Sequence, residues 1–136
     1  MQNIFTYGSL MFDPVWSRVV GGEYPSCPAT LHGYQRFAVK GEEYPVAIPS
    51  SPESSIYGRL YLDVNPQDVQ KLDDFEGEYY IRLRAPVICN TEEMLDADVY
   101  VLRPQYQHVA SHTAWDVEHF RRVGIKAFMS RYQGFV

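Results

Sequence analysis

The sequence predicts an α+β fold: a curved mixed β-sheet or small barrel flanked by about three helices. Three observations predict it. Strand-like runs dominate the chain, helix-start signals fall at only a few places, and the segments follow neither βαβ alternation nor a series of regular hairpins. No internal repeat or linker interrupts the 136 residues, which suffice for one domain with a real core but hardly for two. The expected organisation is a single domain over 1–136, with a C-terminal helical extension at about 113–132.

Residues 3–7 read as a strand ended by Gly8. Asp13-Pro14 then has the N-cap and first-position signature of a short helix through Val15, Trp16, Val19 and Val20, closed by Gly21-Gly22. Residues 26–33 and 34–39 are short strands with Gly33 between them, and 44–49 is an extended piece bracketed by prolines. Residues 55–64 alternate most cleanly. Ile56, Gly58, Leu60, Leu62 and Val64 share one face, and Tyr57, Arg59, Tyr61 and Asp63 the other.

Asn65-Pro66-Gln67-Asp68 starts the next helix, with Asn65 as cap and Asp68 where a capping-box acid would sit, and Gly77 is its stop. Residues 79–89 and 97–102 form a strand pair across a turn at 90–96, followed by an irregular stretch over 103–111. The spacing of Thr113 and Asp116 predicts the start of a C-terminal helix with Val117, Phe120 and Ala127 inward.

Composition excludes several functions. A formal charge of −5 and a pI near 5.3, with Lys and Arg scattered apart from Arg121-Arg122, argue against a nucleic-acid surface. The 11 tyrosines and 15% aromatic content argue against disorder. No stretch approaches membrane-spanning length, and no basic-then-apolar leader opens the chain, so no membrane association and a cytoplasmic location are expected. Cys27 and Cys89 are too few for a disulfide framework and lack metal-like spacing, so buried thiols in a reducing compartment are the simplest reading.

The helix at 66–76 carries the first chemical signal. Val69, Leu72 and Phe75 form its apolar stripe, and at roughly 100° per residue Glu76 projects between Leu72 and Val69. A carboxylate there is pushed toward its neutral form by burial and by the negative end of the helix dipole, which suits it to moving protons near neutral pH. Asp73, Asp74 and Glu78 add negative charge nearby. The alternative is that Glu76 swings into the following loop and is solvated.

The segment Tyr7-Gly8-Ser9-Leu10 joins a strand to a helix, where a glycine lets backbone N–H groups converge on a carboxylate or oxyanion, or simply makes a turn. Ser9 lacks the surroundings of a nucleophile. His108, His112 and His119 have neither helical spacing nor an H-E-x-x-H pattern, so neither a metal nor another cofactor is expected. Tyr44, Tyr79 and Tyr80 either line a pocket or cover the sheet.

Taken together, Phe5-Thr6-Tyr7-Gly8-Ser9-Leu10, Leu72-Asp73-Asp74-Phe75-Glu76-Gly77 and Tyr80-x-Arg82 resemble the gamma-glutamylcyclotransferase-like family over about residues 3–103. The resemblance is strongest to the branch of gamma-glutamylamine cyclotransferase and the avirulence-induced plant proteins. It implies a small α+β fold around a pocket, with the backbone amides of Tyr7, Gly8, Ser9 and Leu10 holding the alpha-carboxylate of a gamma-glutamyl group. It also implies that Glu76 is the essential acid and that Tyr80 lies near the pocket. The implied reaction is a cofactor-independent cyclisation that releases 5-oxoproline and an amine. Family members acting on glutathione carry a longer loop, whereas here Thr6 precedes Tyr7 and no Asn separates Ser9 from Leu10. Two alternatives stay open: a non-catalytic module binding a gamma-glutamyl compound or carboxylate, and a related acyl-group transferase. The implied partner is a small gamma-glutamyl molecule, and the sequence is silent between a monomer and a homodimer. It leaves Trp115, Phe120 and Phe128 free to close the pocket, pack on the barrel or meet a partner.

Overall fold

In the computed structural model, which describes residues 1–131, five strands close into a barrel. They are β1 (Gln2–Thr6), β2 (Ser26–His32), β5 (Ser55–Val64), β6 (Tyr80–Cys89) and β7 (Met94–Leu102), in the order β1-β5-β2-β6-β7. The pairings are antiparallel except β1 with β7, which are parallel at Ile4↔Asp98 and Phe5↔Val99, so the barrel is mixed. A second sheet in the order β4-β3-β8 stands beside it, formed by β3 (Tyr34–Val39), β4 (Pro45–Pro49) and β8 (Ala110–Ala114). The helices are α1 (Asp13–Val19), α2 (Pro66–Glu76), and a C-terminal run of α3 (Val117–His119), a π-helical turn (Phe120–Gly124) and α4 (Ile125–Arg131).

β5 has the bounds its alternation predicts, and its two long ladders make it the spine of the barrel. Ile56, Leu60 and Val64 are buried as expected. Tyr61, on the opposite face, is buried too, because Trp16 of α1 covers it. Trp16 stacks flat on Tyr61, with ring centroids 3.6 Å apart and 2° between planes, and the Tyr61 hydroxyl donates to the Leu10 carbonyl at 3.2 Å. Near its end β5 carries one extra residue against β1: the register moves from Ile4↔Tyr61 to Gln2↔Val64, and Asp63 takes a φ of 55°.

α2 also keeps its predicted bounds, but its cap is built differently. Asn65 Oδ1 accepts from the Asp68 N–H at 2.8 Å, whereas Asp68 does not return to the Asn65 amide. Tyr24 stands between them: its hydroxyl accepts from the Asn65 N–H at 3.3 Å and donates to Asp68 Oδ2 at 2.5 Å. That exchange accounts for an acid that is only 7% exposed. Gly77 ends the helix with φ 79°, a conformation glycine adopts without strain.

Two predicted helix starts are corrected. Asp13 is the first residue of α1 rather than its cap; Phe12 holds the cap position and makes no side-chain capping bond. The C-terminal helix opens at Val117 and not at Thr113, and its cap is Asp116, which accepts from the His119 N–H at 3.0 Å. Thr113 instead lies on β8, paired to β3 at Phe37↔Ala114 and Val39↔Ala110, with the Ser111 hydroxyl donating to the Ala38 carbonyl at 2.8 Å. Cross-sheet pairing overrides the local capping pattern. Residue 132, the far end of the predicted extension, lies outside the described residues.

Gly58 sits where β5 lies against the end of β1. A Cβ there would collide with the Thr6 carbonyl oxygen and come within 2.7 Å of the Phe5 ring. Because the first obstacle is backbone, the strain cannot be relieved by a rotamer change. Gly58→Ala is expected to lower the unfolding free energy by roughly 3 kcal/mol, seen as a lower urea midpoint. An unchanged midpoint would show that β1 and β5 can separate there at little cost.

Candidate functional site

The site begins where β1 ends. Tyr7 and Gly8 lead into a single 3₁₀ turn, Ser9–Met11. The bonds of this turn run from the Met11 N–H to the Gly8 carbonyl at 3.0 Å and from the Phe12 N–H to the Ser9 carbonyl at 3.2 Å, so they do not use the amides of Ser9 and Leu10. Gly8 has a φ of −133°, so a left-handed conformation does not explain the residue. Close approach does: a Cβ would lie 2.7 Å from Pro45 Cδ. Tyr7 is pinned at both ends. Its hydroxyl donates to the Tyr100 carbonyl at 2.6 Å, and its own carbonyl accepts from Arg36 Nη1 at 2.7 Å. Arg36 in turn lies over the Trp115 ring at 5.3 Å.

Glu76, the last residue of α2, lines the same cavity, which encloses about 70 Å³. Burial strips water from its carboxyl, although the residue as a whole keeps some exposure. Burial first, and the Asp73 charge second, push that carboxyl from the ordinary 4.5 up to about 8. Tyr7 is raised well above the usual phenol range by burial and then by the Glu76 charge. Opposite, Tyr80 donates its hydroxyl to the Pro45 carbonyl at 2.8 Å. Tyr44, Phe75 and Phe128 supply an aromatic wall, with Phe128 edge-on to Phe75 at 5.9 Å and to Tyr44 at 6.4 Å.

A charged network backs the acid. Asp73 accepts from the Tyr100 hydroxyl at 2.7 Å and from Arg82 Nε at 2.9 Å. Arg82 also donates to Asp98 at 2.6 Å, and Arg84 reaches the same acid at 3.4 Å. Asp98 is only 4% exposed. Burial and the bond to Asp73 hold Tyr100 protonated far beyond the usual range. Behind Glu76 lies a second crevice of about 240 Å³, whose lining includes Arg82 and Arg103 and shares Glu76, Tyr80 and Tyr100 with the first.

The family model for "Gamma-glutamyl cyclotransferase, AIG2-like" matches residues 4–118. The chain belongs to this family. AIG2-like protein D of Arabidopsis thaliana is 27% identical over 137 residues, covering 99% of this chain and 89% of the relative. A solution structure from Arabidopsis thaliana superposes with a TM-score of 0.74 at 26% identity, over 98% of this chain and 80% of that one. A solved gamma-glutamyl cyclotransferase gives 0.65 at 16% identity, over 79% and 75% of the two chains; at that identity the likeness speaks to fold alone.

In this AIG2-like chain, Tyr7, Gly8, Ser9, Leu10, Glu76 and Tyr80 all line one cavity. Of the three acids placed near Glu76 by sequence, only Asp73 acts on it. Asp74 accepts from Gln70 on the exposed side of α2, and Glu78 accepts from the Tyr106 hydroxyl. Tyr44 and Tyr80 line the cavity, whereas Tyr79 packs on Tyr106 with centroids 4.9 Å apart. Phe128 reaches the cavity, while Trp115 and Phe120 pack on each other at 5.3 Å. The sequence reading missed Thr6, Tyr100, Arg36 and Asp98. Asp98 had a signal: an acid between Ala97 and Val99 in an apolar run, facing Arg82 and Arg84 of the neighbouring strand. Among the described residues no three His, Cys, Asp or Glu side chains gather as a metal would need, and no helix is long and apolar enough to cross a membrane.

The native state keeps the Glu76 proton where an unfolded chain has lost it, so stability falls as pH rises from about 4.5 to about 8 and the penalty persists above. Glu76→Gln removes that dependence. Relative to wild type it gains nothing near pH 4 and on the order of 2–4 kcal/mol above about pH 8, a range already discounted for partial exposure. Urea unfolding across this range measures the difference; a flat difference would mean the carboxyl is solvated. Gly8→Ala drives a methyl group into Pro45, and is expected to cost roughly 1–3 kcal/mol in the same assay.

Proposed function

We propose that this protein is a gamma-glutamyl cyclotransferase that converts a gamma-glutamyl compound to 5-oxoproline and a free amine, with Glu76 as the proton-transferring group. The observation that carries the reading is the environment of Glu76. It is the one carboxylic acid in the lining of the cavity among the described residues, and its carboxyl is raised to about 8 beside the turn that begins at Ser9.

The substrate carries its own nucleophile, the alpha-amine, a few bonds from the gamma-carbonyl. The amides at Ser9 and Leu10 hold the alpha-carboxylate, and the cavity folds the chain back so that attack is intramolecular, where positioning supplies much of the rate. Ionised Glu76 takes a proton from the ammonium. The amine nitrogen then bonds to the gamma-carbon, and Glu76 returns the proton to the departing nitrogen as the amide bond breaks. The second proton shed by the ring nitrogen follows through Glu76, so that the amine leaves as an ammonium. A carboxyl near 8 serves both transfers at neutral pH, being about one-tenth ionised at pH 7. Tyr7 and Tyr80 have their hydroxyl protons committed to the carbonyls of Tyr100 and Pro45. Their role here is to hold the walls, with no acid of their own to offer. This chemistry is an acyl-group transfer within one molecule and needs no cofactor. A cytoplasmic setting, expected from the sequence, suits such substrates.

The test is incubation with gamma-glutamyl amines, gamma-glutamyl amino acids and glutathione, with 5-oxoproline quantified by mass spectrometry. Wild type is expected to form product and Glu76→Gln to lose at least about 10³-fold in kcat. Below about pH 8, kcat/KM should fall by up to tenfold per pH unit as Glu76 gains its proton. Equal turnover by wild type and variant would remove Glu76 from the chemistry. No turnover, with 5-oxoproline raising the melting temperature, would assign a binding module instead.

A further inference from the structure

We propose that Cys27 and Cys89 form a reversible intramolecular disulfide that staples β2 to β6 across a short seam of the barrel. Their sulfurs stand 3.6 Å apart, close enough that one thiol donates to the other. Both cysteines are free, Cys27 half-buried and Cys89 buried.

The location gives the pair its consequence. β6 pairs with β7 from Tyr80↔Leu102 to Ile88↔Met94, and β2 pairs with β5 along its whole length. Between β2 and β6, however, the ladder holds at Ala29↔Cys89 and Thr30↔Ile88. Cys27 lies two residues before Ala29, on the same side of β2, and is therefore the diagonal neighbour of Cys89 just beyond the last ladder pair. Pro28 between them has no N–H to give. Its carbonyl takes the Asn90 N–H at 3.1 Å, the last backbone bond at that end. A covalent link would continue the seam where hydrogen bonding runs out.

The chemistry is balanced with a hydroperoxide as oxidant. Cys27, the more exposed of the two, attacks one peroxide oxygen as its thiolate. The O–O bond breaks, water leaves with hydrogen peroxide, and Cys27 becomes a sulfenic acid. The sulfur of Cys89 then attacks Cys27 Sγ, the S–S bond forms, the S–O bond breaks, and a second water carries off the oxygen and the thiol proton. Burial, and then the bond to Cys27, raise the Cys89 thiol to about 11, so Cys27 rather than Cys89 is the sulfur that meets the peroxide. Reaching the bonded distance of about 2.05 Å needs a sulfur shift of about 1.5 Å. The link would close a loop between residues 62 apart in sequence, and so constrain the unfolded chain strongly.

The experiment treats the whole protein with a slight excess of hydrogen peroxide and follows intact mass, free thiols and melting temperature. A monomer lighter by two hydrogens is expected, with no free thiol and a melting temperature higher by about 5–10 °C, all reversed by dithiothreitol. Cys27→Ser and Cys89→Ser should each lose the rise while melting near reduced wild type. A gain of oxygen atoms on Cys27 with Cys89 still a free thiol would overturn the proposal. So would a disulfide-linked dimer, unreacted thiols, or a cross-link that leaves the melting temperature unchanged.

Discussion

Holding a carboxyl group in the wall of a small cavity that is aromatic on one side is the constraint around which this structure is arranged. Water would stabilise Glu76 as an anion, and burial withdraws most of that stabilisation. Asp73, one turn earlier on α2, makes ionisation still less favourable. Arg82 and Tyr100 share the charge of Asp73 at that position, and Arg82 is itself steadied by the buried Asp98. The acid on one helix is thus conditioned by two barrel strands, and the ion pairs here set the electrostatics of a site more than they add stability.

The walls are held by a different device. Three side chains tie the cavity to backbone carbonyls of distant segments: Tyr7 to Tyr100, Tyr80 to Pro45, and Arg36 to Tyr7. Backbone is a firmer anchor than a side chain because it cannot change rotamer. The absence of a side chain on Gly8 allows Pro45 to approach, and Tyr80 fixes Pro45 from the other side. In this way the end of β1, the start of β4 and the start of β6 are brought to one place, which no local preference of any of the three would dictate.

How much of this was legible in the sequence follows from the range of the interactions. β5 and α2 were readable to the residue because alternation, an Asn-Pro start and a Gly stop act within a few residues. Glu76 was legible from helix projection with the help of the family resemblance. β8 was not, since its strand conformation comes from β3 and local signals at Thr113 pointed to a helix. The burial of Tyr61 depends on Trp16, a partner 45 positions away, and the roles of Tyr100 and Asp98 depend on pairing between β6 and β7. Arg36 reads as an ordinary strand residue until the Tyr7 carbonyl is placed against it.

The cavity draws its parts from unequal sources. The acid, the strand-to-turn segment and Tyr80 all fall within the residues the family model covers, whereas Phe128 comes from α4, beyond residue 118. Phe128 is 3% exposed and touches Tyr44, Phe75 and Phe120 edge-on, so α4 is anchored by the same ring that closes the cavity. An aromatic wall excludes water without offering a charge, and it therefore serves the desolvation of Glu76 as well as the packing of the helix. A polar residue at that position would re-admit solvent to the carboxyl and loosen α4 together. Packing and proton affinity are coupled through one side chain, which is why the C-terminal helix belongs to the site although Phe128 is the residue it lends to the lining.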